Sequence, residues 1–101
     1  MTGREISALV AEEFGLTFMD LTKQTRTRRI SRPRQAAMYV VRKLRPDMSY
    51  PMIGRLFGGR DHTTIIHGIR VVQERIESDP AYRAKIGRVF ERVAQRPEMA
   101  A

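Results

Sequence analysis

The sequence predicts an all-α fold, a compact helical domain with an embedded helix-turn-helix. Three observations predict it. Apolar residues recur at three- and four-residue spacings from Ile6 to Val93, and no stretch alternates for long enough to make a strand. Prolines, glycines and short polar capping residues punctuate the chain where those apolar patterns stop and start. A short apolar pattern is also separated from a long one by little more than Gly58-Gly59, a connection too brief for anything but a tight change of direction.

The elements follow in order. Thr2-Gly3-Arg4-Glu5 has the spacing of a capping box, and Ile6, Leu9, Val10 and Phe14 then repeat on one helical face until Gly15. Thr17 to Leu21 reads as one helical turn with Phe18 and Leu21 inward. Residues 22–31 are polar and basic without apolar periodicity, which predicts a loop. Pro33 suits the first turn of the next helix, whose core face is Ala36, Ala37, Val40, Val41 and Leu44. That helix should end near Arg45, because Pro46 disfavours α geometry in the residue before it.

Ser49 caps a short helix that has Pro51 near its start and Met52, Ile53, Leu56 and Phe57 on its apolar face. Gly54 lies one turn into it and permits a neighbouring helix to approach closely. Asp61 opens a longer helix through Ile65, Ile66, Ile69, Val72 and Ile76. Ser78-Asp79-Pro80 ends that helix and caps the last one, which turns Tyr82, Ile86, Val89, Phe90 and Val93 inward. Residues 1–101 thus read as one domain, with the helix-turn-helix at about 49–76.

Composition narrows the function. Hydrophobic residues make up 42% of the chain and charged ones 30%, which fits a folded protein and not a disordered one. The absence of cysteine excludes disulfides, thiol catalysis and thiolate metal sites. Apolar runs are only a few residues long and no signal region opens the chain, so the expected setting is the cytoplasm, away from membranes. The formal charge is +8, and its placement is informative. From Asp20 to Asp47 no acidic residue intervenes among nine basic ones: Lys23, Arg26, Arg28, Arg29, Arg32, Arg34, Arg42, Lys43 and Arg45. Such self-repulsion points to a partner that supplies anions; the plain alternative is a solvated basic face.

The segment Gly58-Gly59-Arg60-Asp61-His62-Thr63-Thr64-Ile65-Ile66-His67 carries most of the functional signal. Asp61 at the helix start satisfies orphan N–H groups and suits the positive end of the helix dipole. His62, Thr63 and Thr64 then set short polar groups on the first turn, where a recognition helix meets base edges in the major groove. A threonine offers a hydroxyl to a base and a methyl to thymine, and a histidine can donate or accept. Asp61 can add an acceptor for cytosine's amino group.

These residues, with Arg26-Thr-Arg-Arg-Ile-Ser-Arg-Pro-Arg-Gln-Ala-Ala-Met38 and Ile53-Gly54 with Phe57, resemble the C-terminal DNA-binding domain of the bacterial replication initiator DnaA over roughly residues 3–95. The resemblance implies a Trp-repressor-like helical fold and binding to duplex sites of the DnaA-box kind, in nucleoid-associated replication or its regulation. It implies base contacts from Asp61, His62, Thr63 and Thr64, with Arg26 in the adjacent minor groove. It implies backbone contacts from Arg34 and Gln35, and places Arg42, Tyr50 and Pro51 beside the backbone. Arg28 and Arg29 compete with Arg26 for the minor groove, position in the motif favouring Arg26; they and Arg60 are otherwise expected at phosphate, the alternative for the loop arginines being simple solvation. The stretch Arg45-Pro46-Asp47-Met48 is about one residue longer than the family pattern, which bears on the contacts around Tyr50 and Pro51.

No phosphate-cradling G-x-x-x-x-G-K-[ST] loop occurs, so no nucleotide cofactor and no ATP hydrolysis are expected of this chain. Two histidines without further ligands do not make a metal site, and His67 is read as a partly buried or surface residue. Ser31 and Ser49 have no histidine near them in sequence, so catalysis is not expected. The rival functions are a free-standing helix-turn-helix regulator of transcription with a different target site, and an adaptor that offers its basic face to an acidic protein. RNA is disfavoured, because the A-form major groove excludes a helix and the chain has no aromatic stacking platform.

Overall fold

A computed structural model describes residues 1–96; the five C-terminal residues lie outside the description. Six helices run in chain order: α1 Gly3–Glu13, α2 Phe18–Leu21, α3 Arg28–Leu44, α4 Tyr50–Leu56, α5 His62–Ser78 and α6 Pro80–Ala94. No strand occurs among the described residues. The all-α reading therefore holds, with the helix-turn-helix formed by α4 and α5.

Most boundaries follow local chemistry. Thr2 and Glu5 form a reciprocal capping box on α1, and Thr17 with Asp20 does the same on α2. The Ser49 hydroxyl accepts the Met52 N–H at the start of α4. The Asp79 carboxylate accepts the Tyr82 N–H at the start of α6. Each cap satisfies donors that the helix itself cannot use.

α3 lies at the centre, packed against α1 on one side and α5 on another, while α6 closes over α1 and α5. Its face of Ile30, Ala36, Ala37, Met38, Val40 and Val41 is buried against Ile6, Val10, Leu21, Ile53, Phe57, Ile65 and Val72. At roughly 25 cal/mol per Å² of apolar area removed from water, this shared core fixes α4 and α5 against α3. The Glu12 and Glu13 carboxylates pair with Arg88 and Arg92 and tie α6 to α1.

The expected loop at residues 22–31 is shorter than its composition indicated. α3 begins at Arg28, so Pro33 stands inside the helix and not in its first turn. Ile30 explains the difference: it is buried, and with Pro33, Ala36, Ala37 and Val40 it starts the apolar face one turn earlier. The Ile30 and Ser31 N–H groups both donate to the Thr27 carbonyl and begin the helix there. Pro33 removes one ladder bond, near the start where the loss is least. Met52 also departs from its expected apolar face and is 41% exposed.

The turn between α4 and α5 is built on backbone geometry. Gly58 and Gly59 have φ of 88° and 80°, conformations that side chains disfavour. The chain reverses tightly enough that the Gly59 and Arg60 N–H groups both donate to the Gly54 carbonyl, at 3.0 and 2.9 Å. The Arg60 carbonyl oxygen sits where a side chain on Gly54 would begin. Gly54 therefore does permit close approach, and what approaches is the turn rather than the second helix's side chains.

Candidate nucleic-acid interface

The exposed N-terminal turn of α5 holds four of the sequence-selected residues. The Asp61 carboxylate, at the N-cap, accepts from the Thr63 N–H at 2.8 Å and from the Thr63 hydroxyl at 2.6 Å, both on Oδ1. The Thr63 hydroxyl, more than any other contact, holds the Asp61 carboxyl below its ordinary pKa. His62 Nδ1 stands 3.6 Å from the same oxygen. Asp61 is thereby held as an anion, with both of its hydrogen bonds on Oδ1. Thr63 is itself exposed. His62 and Thr64 are exposed, so this turn faces solvent with polar groups that the fold does not consume.

Beside it lies a cavity of about 330 Å³ lined by Thr25, Arg26, Ser31, Arg34, Gln35, Met38, Arg60, Thr64 and His67. It brings together residues from the 22–27 loop, the middle of α3 and the start of α5. Arg26, Arg34, Gln35, Arg60 and Thr64 come from the sequence reading. His67 was placed apart from it, yet its spacing of three residues from Thr64 puts both on one face, and that spacing was the signal available. Gly68 keeps the two helices close here: a side chain on it would press on Met38 and Gln35 of α3.

Arg34 requires a correction. The resemblance implies a phosphate contact for it, and the sequence reading puts it in the first turn of its helix. It is only 4% exposed, and Nε, Nη2 and Nη1 donate to the carbonyls of Leu21, Lys23 and Thr25 at 2.7, 2.6 and 3.2 Å. The earlier start of α3 moves it to the second turn and rotates it under the loop. Burial, and then the nearby Arg60 charge, pushes its pKa down to about 10.

Arg60 is partly committed as well. Its Nη2 donates to the Lys23 carbonyl at 2.9 Å, and its Nε is buried with no hydrogen-bond partner among the described residues. Its pKa is lowered by burial.

The other candidates fall in two further places. Arg28 and Arg29 are exposed on the first turn of α3, and they line a groove of about 390 Å³ with Phe14, Arg32, Arg75, Tyr82 and Lys85. Thr27 gives α3 no side-chain cap and its first turn holds no acid, so two arginines meet the positive end of that dipole unrelieved. Such an end is suited to phosphate oxygens.

Arg42, Tyr50 and Pro51 gather at the start of α4. The Arg42 guanidinium lies 4.5 Å over the Tyr50 ring, and its Nη1 donates to the Met48 carbonyl at 2.6 Å. Arg45 and Asp47 pair at 2.7 Å, and the Met48 N–H returns to the Arg45 carbonyl. The longer connection is thus folded into a tight turn, and α4 keeps a capped start. No cluster of three or more metal-ligating side chains occurs among the described residues. No described helix is long and apolar enough to cross a membrane.

A short capped helix, a glycine turn and a long helix exposing an unspent polar first turn beside an arginine-lined cavity define a helix-turn-helix module of the DNA-binding class. The chain belongs to the family described as the bacterial dnaA protein helix-turn-helix, whose model matches residues 4–72. Over 79 residues it is 48% identical to the chromosomal replication initiator protein DnaA of Cereibacter sphaeroides strain ATCC 17029, covering 78% of this chain and 17% of that protein. Over 88 residues it is 42% identical to the protein of the same name from Symbiobacterium thermophilum, covering 87% of this chain and 19% of the relative. The chain thus spans about a fifth or less of the length of these relatives.

Proposed function

We propose that this chain binds double-stranded DNA sequence-specifically, at sites of the DnaA-box kind, and serves replication initiation or its regulation. The carrying observation is the α5 start, where His62, Thr63 and Thr64 are exposed around a capping carboxylate and Arg26 stands next to them on a neighbouring loop. In this reading Asp61, His62, Thr63 and Thr64 meet base edges in the major groove while Arg26 enters the minor groove. Arg28, Arg29, Gln35, Arg42, Tyr50, Pro51 and Arg60 meet the sugar–phosphate backbone, which supplies affinity without specifying sequence. His67 joins them through its place in the cavity.

Neither nucleotide nor membrane enters this reading, and the chain performs no catalysis. Its setting is the cytoplasm, at the nucleoid. The test is a selection from random duplexes, sequenced after binding. Enrichment of a short motif of the DnaA-box kind supports the proposal. A different enriched motif favours a transcription regulator with its own sites. No enrichment, together with capture of an acidic protein, favours an adaptor.

A further inference from the structure

The 22–27 segment has no regular structure of its own, yet it is tied down from two directions. From α3, the single guanidinium of Arg34 holds the carbonyls of residues 21, 23 and 25, alternate positions that converge on a planar fork of donors. From the helix-turn-helix, Arg60 Nη2 shares the Lys23 carbonyl, and Gln24 Nε2 donates to the Gly58 carbonyl at 3.1 Å. The Thr22 carbonyl oxygen packs 2.9 Å from where a side chain on Gly58 would begin. One carbonyl, that of Lys23, therefore receives a cation from α3 and another from the residue just before the α5 cap. Among the described residues no ion pair to a carboxylate offsets either guanidinium. Burying a cation on neutral acceptors beside a like charge is costly, so a fold that retains the arrangement gains something from the loop's geometry.

We infer that Arg34 is a positioning residue. It fixes the 22–27 loop so that Arg26 is presented in register with the first turn of α5, and the shared Lys23 carbonyl joins the minor-groove and major-groove readers into one rigid unit. The inference rests on the DNA-binding reading above and goes beyond it: Arg34 governs discrimination at base pairs that it does not touch. A loop already ordered before binding loses little freedom on the DNA, and this is how preorganisation yields affinity and selectivity.

The experiment uses the full chain with Arg34→Lys, Arg34→Gln and Gln24→Ala, each also combined with Arg26→Ala. Gln24 is exposed, and its tie is to the turn, so Gln24→Ala tests the inference even where an Arg34 variant folds poorly. Three duplexes are titrated over a salt series: the preferred site, one with G·C replacing A·T under the loop, and one altered under the recognition helix. The expected result is a fall of about fivefold or more in the A·T preference for Arg34→Lys, a smaller fall for Gln24→Ala, and little further loss when Arg26→Ala is added. Discrimination under α5 persists, and the salt slope of Arg34→Gln matches wild type.

A slope reduced by about 0.9 with the A·T preference intact makes Arg34 a phosphate contact and overturns the inference. Additive effects of the Arg26 and Arg34 substitutions also overturn it. So does equal loss of discrimination at both sets of bases, which a merely structural defect would give. Heteronuclear NOE values across residues 22–27, measured without DNA, report the pin separately. A loop as rigid in Arg34→Lys as in wild type sinks the inference, whereas a wild type that prefers no duplex sinks the DNA reading even if the loop proves rigid.

Discussion

At the scale of single residues, the α5 start separates groups that hold the turn from groups left exposed. Asp61 and the Thr63 hydroxyl hold each other, while His62 and Thr64 are left exposed. His62→Ala or Thr63→Ala should weaken binding to the preferred duplex by about 1–3 kcal/mol and barely change binding to random DNA. Competition titrations on both duplexes check this, and equal losses on the two would mean that neither residue specifies sequence. A second residue-scale prediction concerns acid stability. The Lys23 ammonium, followed by the Thr17 N–H and hydroxyl, lowers the Asp20 carboxyl from 3.8 to about 2. The folded pKa lies below the unfolded one, so this contribution is complete above about 3.8 and is lost as pH falls through about 2. Asp20→Asn should therefore flatten the fall in stability between those values, as measured by urea unfolding. A variant that loses stability as steeply as wild type there would show that Asp20 does not contribute to the acid limb. The Thr2–Glu5 capping box, the Asp61 cap and the polar first turn were legible in sequence, because each depends on neighbours within a few residues. Arg34 was misplaced because its partners, the carbonyls of Leu21, Lys23 and Thr25, are set by tertiary packing.

Elements were legible where apolar spacing and punctuation agree, as in α1, α4, α5 and α6. α3 shows how they can disagree. Pro33 marked a helix start by its chemistry, but burial of Ile30 outweighed that mark and drew the first turn back to Arg28. One buried isoleucine, roughly 1.5–3 kcal/mol, is comparable to the ~3 kcal/mol that a proline costs inside a helix, so Ile30 prevails together with the rest of the buried face, Pro33 included. Glycine gives the sharpest element-scale test, since the same substitution should have opposite signs at two places. Gly54→Ala drives a methyl against the Arg60 carbonyl, a backbone atom that cannot swing aside, and should cost about 1–3 kcal/mol. Gly87→Ala lies in the middle of α6 with nothing within 4 Å of the new methyl, and should stabilise by about 0.5–1 kcal/mol. Chemical denaturation of both variants decides. A harmless Gly54→Ala would mean that the turn relaxes and is not what fixes α5 against α4.

Across the whole molecule, charge is distributed by purpose. Arg88 and Arg92 are matched by Glu13 and Glu12 where α6 meets α1, and Arg45 is matched by Asp47. Arg26, Arg28, Arg29 and Arg32 enter no ion pair among those formed by the described residues. These four cluster at the loop and at the uncapped start of α3, so part of the +8 charge gathers on that side of the molecule. If that concentration serves phosphate, Arg28→Ala and Arg29→Ala should each lower the slope of log affinity against log salt by about 0.9, equally on the preferred and on random duplexes. Both side chains are exposed on a helix whose core face they do not join, so thermal stability should stay near wild type and the slope alone should move. ATP should leave every one of these slopes unchanged, because the chain has no loop to cradle its phosphates. An unaltered slope in both variants would detach Arg28 and Arg29 from the duplex. The groove that they line also holds Asp79, already paired with Arg75, so Arg28, Arg29 and Arg32 would then stand as a solvated basic face.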